Sequence, residues 1–366
     1  LEGVVVIDAR FWKGRRVLLT GHTGFKGSWL TLWLKSLGAE VAGLSLAPTA
    51  RSLFVDADVA RDCVSRIADV RDAAAVRDIV AAARPEVVFH LAAQPLVRAS
   101  YAAAAETWMT NAMGTIHVLD ALRTCTDTRA VVVVTSDKCY EQRGAAHPFR
   151  EGDPLGGHDP YSSSKAAAEV ATASWRRSFL DARGIGVATA RAGNVIGGGD
   201  WAADRLIPDL VRGAIEGQAV PIRSPNATRP WQHVLDPLGG YLLLAERLAS
   251  SPARHAGAWN FGPAEAASTT VRAVATRFVD ALDRDARWIV AEDASLHEAA
   301  TLALDARKAH DRLGWSPTLS TDEAIALTAA AYRVAIDGGD QRELVVAQIA
   351  AHAARAAVQP EPALTS

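Results

Sequence analysis

Hydrophobic positions along this chain follow two alternating arrangements. Val17-Leu18-Leu19-Thr20, Val41 to Leu46, Glu86 to Leu91, Ala130 to Val134 and Gly186 to Ala190 are short apolar runs with no room for a helix. Runs of this kind read as strands buried on both faces. Between them the apolar residues recur at helical spacing. Trp29, Leu30, Trp33, Leu34 and Leu37 form one such series, ended by Gly38. Others run over Ala73 to Ala83, from about Ala105 to Arg123, and from about Pro160 to Leu180. Strands alternating with helices predict an α/β chain: a Rossmann-like, doubly wound parallel sheet covered on both faces.

Beyond Asn194 the rhythm changes. Gly197-Gly198-Gly199-Asp200-Trp201 reads as loop, and Pro208, Pro221, Pro225, Pro230 and Pro237 divide the next stretch of chain into shorter pieces. The expected organisation is a first domain over 11–195 and a smaller mixed α/β lobe over 196–350 on the C-terminal side. The two are expected to interleave, because Ala258 to Phe261 looks like a strand able to return to the main sheet. Residues 351–366, alanine-rich and then Gln-Pro-Glu-Pro, read as a frayed tail. There is no repeat at periods of 20 to 50 residues.

Composition narrows the class. With 366 residues, 39 Lys+Arg against 41 Asp+Glu and a net charge of −2, there is no positive field to attract nucleic acid or an anionic membrane. No run reaches the ~20 apolar residues of a membrane span. Leu1 to Arg10 lacks a basic start leading into an apolar stretch, so no signal peptide and a cytoplasmic location are expected. Cys63, Cys125 and Cys139 are odd in number and widely spaced. They read as free thiols, not as a disulfide framework or a zinc site, and no metal is expected.

Chemistry enters with the loop after the first strand. Gly21-His22-Thr23-Gly24-Phe25-Lys26-Gly27 spaces its glycines G-x-x-G-x-x-G, one residue wider at the front than the dinucleotide fingerprint. Gly21 suits a tight turn, Gly24 lets amides approach a pyrophosphate, and Gly27 lets the helix pack close, its N-terminus facing the anion. Where an acid ordinarily accepts the ribose hydroxyls, ~20 residues on, this chain has Ser45, with Arg51 a few residues later. NAD and NADP both remain open on that ground. Asp69-Val70 reads equally well as a clamp on adenine or as a helix N-cap.

Tyr161 and Lys165 stand four residues apart, one turn along a helix. An ammonium beside a phenol stabilises the phenolate, which predicts a lowered Tyr161 pKa. The strand ending at Val134 runs into Thr135-Ser136-Asp137-Lys138-Cys139-Tyr140, so a hydroxyl, an acid and a base cluster where open α/β sheets carry their sites.

Together with Leu91-Ala92-Ala93-Gln94-Pro95-Leu96-Val97-Arg98, Arg191 to Trp201 and Arg229-Pro230-Trp231-Gln232-His233, these motifs resemble the extended short-chain dehydrogenase/reductase family. Over about residues 11 to 335 the resemblance is strongest to its nucleotide-sugar 4,6-dehydratases, in particular those acting on CDP-glucose. Lys138 stands where the dTDP-glucose and GDP-mannose members carry an acid. The resemblance implies NAD as cofactor, held by Gly21, Thr23, Gly24, Phe25, Lys26, Gly27, Ser45, Asp69, Val70, Leu91, Ala92, Ala93 and Gln94 with Tyr161 and Lys165. It implies that Tyr161 takes the O4 proton while C4 is oxidised, with Ser136 bonded to O4. Asp137 and Lys138 would then manage loss of the C6 hydroxyl and of the C5 proton. Gln94, Arg98, Asn194, Trp201, Arg205, Arg229 and His233 are the implied substrate residues, Arg205 and Arg229 toward the phosphates and Gln94 and Arg98 toward the sugar. A homodimer, or a tetramer of such dimers, is implied through the Tyr161 helix and the one near Trp108. A dehydratase for another nucleotide-sugar and a 4-epimerase are the alternatives.

Overall fold

The computed structural model of the protein describes residues 6–142, 147–263, 269–291 and 302–358. Six strands alternate with helices through the first half: β1 (Arg16–Thr20), β2 (Glu40–Ser45), β3 (Cys63–Ile67), β4 (Val87–His90), β5 (Ala130–Val134) and β6 (Gly186–Ala192). Seven more come after them: β7 (Val195–Ile196), β8 (Ala219–Ile222), β9 (Thr228–Arg229), β10 (Gln232–His233), β11 (Gly257–Phe261), β12 (Thr269–Thr270) and β13 (Arg287–Val290). The main sheet has the order β11-β6-β5-β4-β1-β2-β3, and all its pairings are parallel. Chain order therefore reverses between β1 and β4, opening a crevice at their carboxyl ends where such sheets bind ligands.

Continuous apolar runs account for the middle of this sheet. Every residue of β4, β5 and β6 is buried, as parallel strands covered on both faces must be. The sequence pattern does not predict β3, because Cys63-Val-Ser-Arg-Ile has neither a continuous run nor a clean alternation. It is an edge strand, paired only to β2, with Val64 and Ile67 exposed. The expected return of the chain does occur: β11 pairs with β6, Gly257 against Ala188 through Phe261 against Ala192.

Helices Phe25–Ser36 and Leu235–Ser250 pack on one face, and Trp12, Trp29, Trp33, Tyr241 and Trp259 share a core reaching to Ile349. The other face is covered by helices Ala73–Ala83, Gly114–Ala121 and Pro160–Trp175. A separate apolar cluster around Ile207, Trp231, Phe278 and Tyr332 supports the short sheets β10-β7, β12-β9 and β13-β8. The frayed tail needs correction. Residues 351–356 belong to helix Gln341–Ala356, because Val345, Ile349 and His352 are buried there, His352 bonding Asp236 at 2.8 Å. Residues 359–366 lie outside the described residues.

Candidate active site

The crevice starts at Thr20, the last residue of β1. Its hydroxyl accepts from the amides of Leu91 and Ala92, each at 3.1 Å, tying the ends of β1 and β4 together. Gly21 then turns in the left-handed region at φ +77°. Gly27 is fixed by close approach, since a Cβ there would lie 2.1 Å from the Gly21 carbonyl oxygen. Helix Phe25–Ser36 starts from Gly24 with no side chain bonded to its open amides. Uncapped first-turn amides in a glycine cradle fit the pyrophosphate of a dinucleotide.

Around that loop some expected contacts are internal. The Ser45 hydroxyl bonds the Thr23 hydroxyl at 2.7 Å, and Thr23 also donates to the Leu46 carbonyl at 3.0 Å. Arg51 lies over the Trp201 ring, 3.7 Å from its centroid, so that guanidinium is engaged with the substrate-side loop. Asp69 is no helix N-cap; Asp72 caps Ala73–Ala83, while Asp69 binds Arg71 at 2.6 Å. That guanidinium holds the Asp69 carboxyl below its ordinary range. Val70 is buried, and its carbonyl bonds His117 at 2.9 Å. Gln94 is turned inward as well: its amide donates to Leu96 and Thr107 and accepts from the Leu96 amide at 2.6 Å.

Beyond β5, Ser136 caps a single turn of 3-10 helix, Asp137–Cys139, by accepting from the Lys138 amide at 3.2 Å. Ser136 donates to Asp137 Oδ1 at 3.1 Å, and Asp137 Oδ2 is buried with no hydrogen-bond partner. Gly193, after β6, makes room for it, since a Cβ there would meet Oδ2 at 1.9 Å. Burial raises the Asp137 pKa, against the opposing pull of Lys138, the Ser136 bond, Arg229 and Lys26. A raised pKa favours the protonated carboxyl, the form able to donate a proton.

Helix Pro160–Trp175 brings Tyr161 and Lys165 to the same place, with Asp159 capping it through the Ser162 amide at 2.9 Å. One expectation is overturned. Burial pushes the Tyr161 phenol up to about 12, opposed chiefly by the neighbouring Ser136 hydroxyl. Lys165 does not offset it, because its ammonium donates to the Val134 carbonyl at 3.2 Å and burial lowers its own pKa to about 8.

The expected substrate residues are dispersed around the mouth. Arg98 pairs with Asp204 at 3.2 Å and Arg205 with Asp200 at 2.7 Å. Asn194 sits in the left-handed region at φ +39°, which suits its short polar side chain. Arg229 is buried, donates to the Thr228 carbonyl at 2.8 Å and acts on the Asp137 carboxyl. Trp201 stands edge-on to Tyr332, with its indole N–H buried and unbonded. His233 is the exception. It is fully buried against Trp29, a ring with no exposed atom to offer a ligand. Lys26, expected only as a loop residue toward the cofactor, extends its amine to 3.5 Å from the Tyr241 hydroxyl. Burial, with Arg205 and Lys165 nearby, lowers its pKa to about 7.

The sequence model of GDP-mannose 4,6 dehydratase matches residues 18–328. The chain belongs to that dehydratase family. Among the family's relatives it is 46% identical to the CDP-glucose 4,6-dehydratase of Salmonella typhimurium over 341 residues, 92% of this chain and 95% of that protein. With the dTDP-glucose 4,6-dehydratase of Xanthomonas campestris it shares 27% over 330 residues, 85% and 91% of the two chains. DesIV, the dTDP-glucose 4,6-dehydratase of Streptomyces venezuelae, solved with NAD and TYD bound, superposes with a TM-score of 0.75 at 25% identity. That superposition covers 89% of this dehydratase-family chain and 99% of DesIV. A UDP-glucose 4-epimerase from Thermotoga maritima has the same fold, with a TM-score of 0.74 at 22% identity over 87% and 99% of the chains.

Proposed function

We propose that this protein is an NAD-dependent hydro-lyase converting CDP-glucose to CDP-4-keto-6-deoxyglucose. The observation that carries the proposal is its likeness to the Salmonella enzyme across nearly the full length of both chains. The site geometry supports it through a buried, half-bonded acid beside a Tyr–Lys pair. The glycine cradle and the uncapped helix Phe25–Ser36 would hold the cofactor pyrophosphate. NAD, when bound, supplies a hydride acceptor that later gives the hydride back.

The residues then divide the work. Tyr161 removes the O4 proton as C4 loses its hydride, and Ser136 donates to O4. Lys165 gives one N–H to Val134 in this structure and keeps two further donors with which to lower the raised Tyr161 pKa. The resulting 4-ketone acidifies the C5 proton, which Lys138 takes. Asp137 protonates the C6 hydroxyl, which leaves as water. Hydride returned to C6 and a proton returned to C5 complete a reaction without net redox change. Arg205 and Arg229 bind the substrate phosphates, with Asp200 releasing Arg205, and Arg98 turns from Asp204 to the sugar. In this reading residues 11–195 serve the cofactor and 196–350 the substrate.

Incubation with CDP-, dTDP-, UDP- and GDP-sugars followed by mass spectrometry tests the assignment. A product of CDP-glucose lighter by one water is expected. Unchanged mass with C4 inverted would make the protein an epimerase, and no turnover of any sugar would sink the enzymatic reading.

Among the described residues no helix is long and apolar enough to cross a membrane. We place the enzyme in the cytoplasm as a homodimer joined through helices Ala104–Trp108 and Pro160–Trp175. Trp108, Met109 and Val170 on or beside these helices are exposed. Light scattering should give twice the chain mass, and Trp108→Glu should return the monomer.

A further inference from the structure

Asp137 has one hydrogen bond of its own, to Ser136, so its aim must come from the backbone that carries it. That backbone is anchored at both ends to one buried carboxylate. At the front, Thr135 donates to Glu169 Oε1 at 2.5 Å. At the rear, the Tyr140 hydroxyl accepts from Arg191 at 2.8 Å, and Arg191 binds Glu169 through two bonds of 2.9 and 2.7 Å. Tyr140 also donates to Asn260 of β11 at 2.6 Å and stacks on Phe149. Thr189 donates to the other Glu169 oxygen at 2.7 Å, which leaves each oxygen with two partners.

The Glu169–Arg191 pair is almost wholly buried, both side chains being 3% exposed. A buried ion pair is a poor source of stability compared with apolar side chains of the same volume. Its location suggests another reason for it. Glu169 is four residues beyond Lys165 on the helix that also carries Tyr161, so it faces the same side one turn further on.

We propose that Glu169 is a positioning residue, holding the Ser136-Asp137-Lys138 segment in register with Tyr161 and Lys165 on its own helix. The oxidising pair stands on the helix and the eliminating pair on the strand end, and the Glu169 carboxylate is the joint between them. The assignment deepens the proposed dehydration and rests on it for its kinetic arm.

Thr135→Val removes one anchor, Thr135→Ser keeps the donor, and Tyr140→Phe removes the rear anchor while keeping the ring on Phe149. In the holoenzyme with CDP-glucose, Thr135→Val and Tyr140→Phe should lower kcat about 10- to 100-fold with KM within about two-fold, the loss expected of small misplacement. Thr135→Ser should recover most of it. Elimination should suffer more than C4 oxidation, so the steady-state absorbance of reduced cofactor should rise. A second readout needs no turnover: the Asp137 carboxyl, assigned with Asp137→Asn and followed by carbon NMR in ligand-free protein, faces Lys138, Arg229 and Lys26. Its titration should move by about half a unit in Thr135→Val and return in Thr135→Ser. Unaltered titration in Thr135→Val, or wild-type kcat with only a lower Tm, overturns the positioning role. Should the wild-type protein turn over no sugar, the proposed function fails, and the titration still decides this point.

Discussion

The Asp137 carboxyl has its pKa raised by burial, against the pull of Lys138, Ser136, Arg229 and Lys26. Its acidity should therefore be visible in the pH profile. Burial raises the pKa, so the proton needed for the leaving hydroxyl is present at low pH and lost as pH rises through that raised value. We expect kcat to fall on the alkaline side, and Asp137→Asn to lose about 10²- to 10⁴-fold in kcat together with that limb. Gly193 gives an independent handle on the same carboxyl. Gly193→Ala would set a methyl 1.9 Å from Oδ2, so the carboxyl must shift and kcat should drop at least about ten-fold. Normal turnover by the alanine variant would show that the carboxyl is free to move.

At the scale of elements, the chain begins with a clasp. Helix Ala9–Trp12 precedes β1, and Glu246, on helix Leu235–Ser250, accepts from the Trp12 indole at 2.7 Å and the Asp8 amide at 3.0 Å. Burial lifts the Glu246 pKa from 4.5 to about 7. The folded state thus holds this proton more tightly than the unfolded chain. Its contribution is complete below about 4.5 and is lost as pH rises through about 7. Glu246→Gln keeps the acceptor without the charge, so it should raise stability at pH 8 by roughly 1–3 kcal/mol and flatten that part of the profile. Denaturant melts at pH 5 and pH 8 check it. The same scale shows what the sequence discloses. β1, β4, β5 and the start of β6 are legible because strands buried on both faces are mostly apolar, the buried Thr189 and Arg191 of β6 being held by Glu169. β3 is not, because an edge strand is under no such demand. Tyr161 with Lys165 and the glycine loop are legible from spacing, since local geometry places them. Arg98 with Asp204, Glu169 with Thr135 and Arg191 with Tyr140 are not, since their partners lie 34 to 106 positions apart and only the fold joins them. The Tyr161 pKa departs from expectation for a related reason: spacing puts Lys165 on the right face, but its amine has a backbone carbonyl within reach.

The whole molecule is closed by its last described helix. Gln341–Ala356 buries Val345 and Ile349 in the core that holds Trp33, and His352 bonds Asp236 beneath that ring. A chain ending at residue 340 should lose about 3–6 kcal/mol from the two aliphatic side chains, relative to one ending at 358. Equal melting of the two would show that the helix is dispensable. The late arrival of β11 matters at the same scale. In vectorial synthesis the outer edge of β6 stays open until residue 261 has emerged, and Asn260, the partner of Tyr140, arrives with it. An unfinished chain therefore exposes a strand edge open to wrong pairing, and its Tyr140, held by Arg191, still lacks the Asn260 partner. The strand that completes the sheet thus also brings the last hydrogen-bond partner of the residue that ends the acid segment.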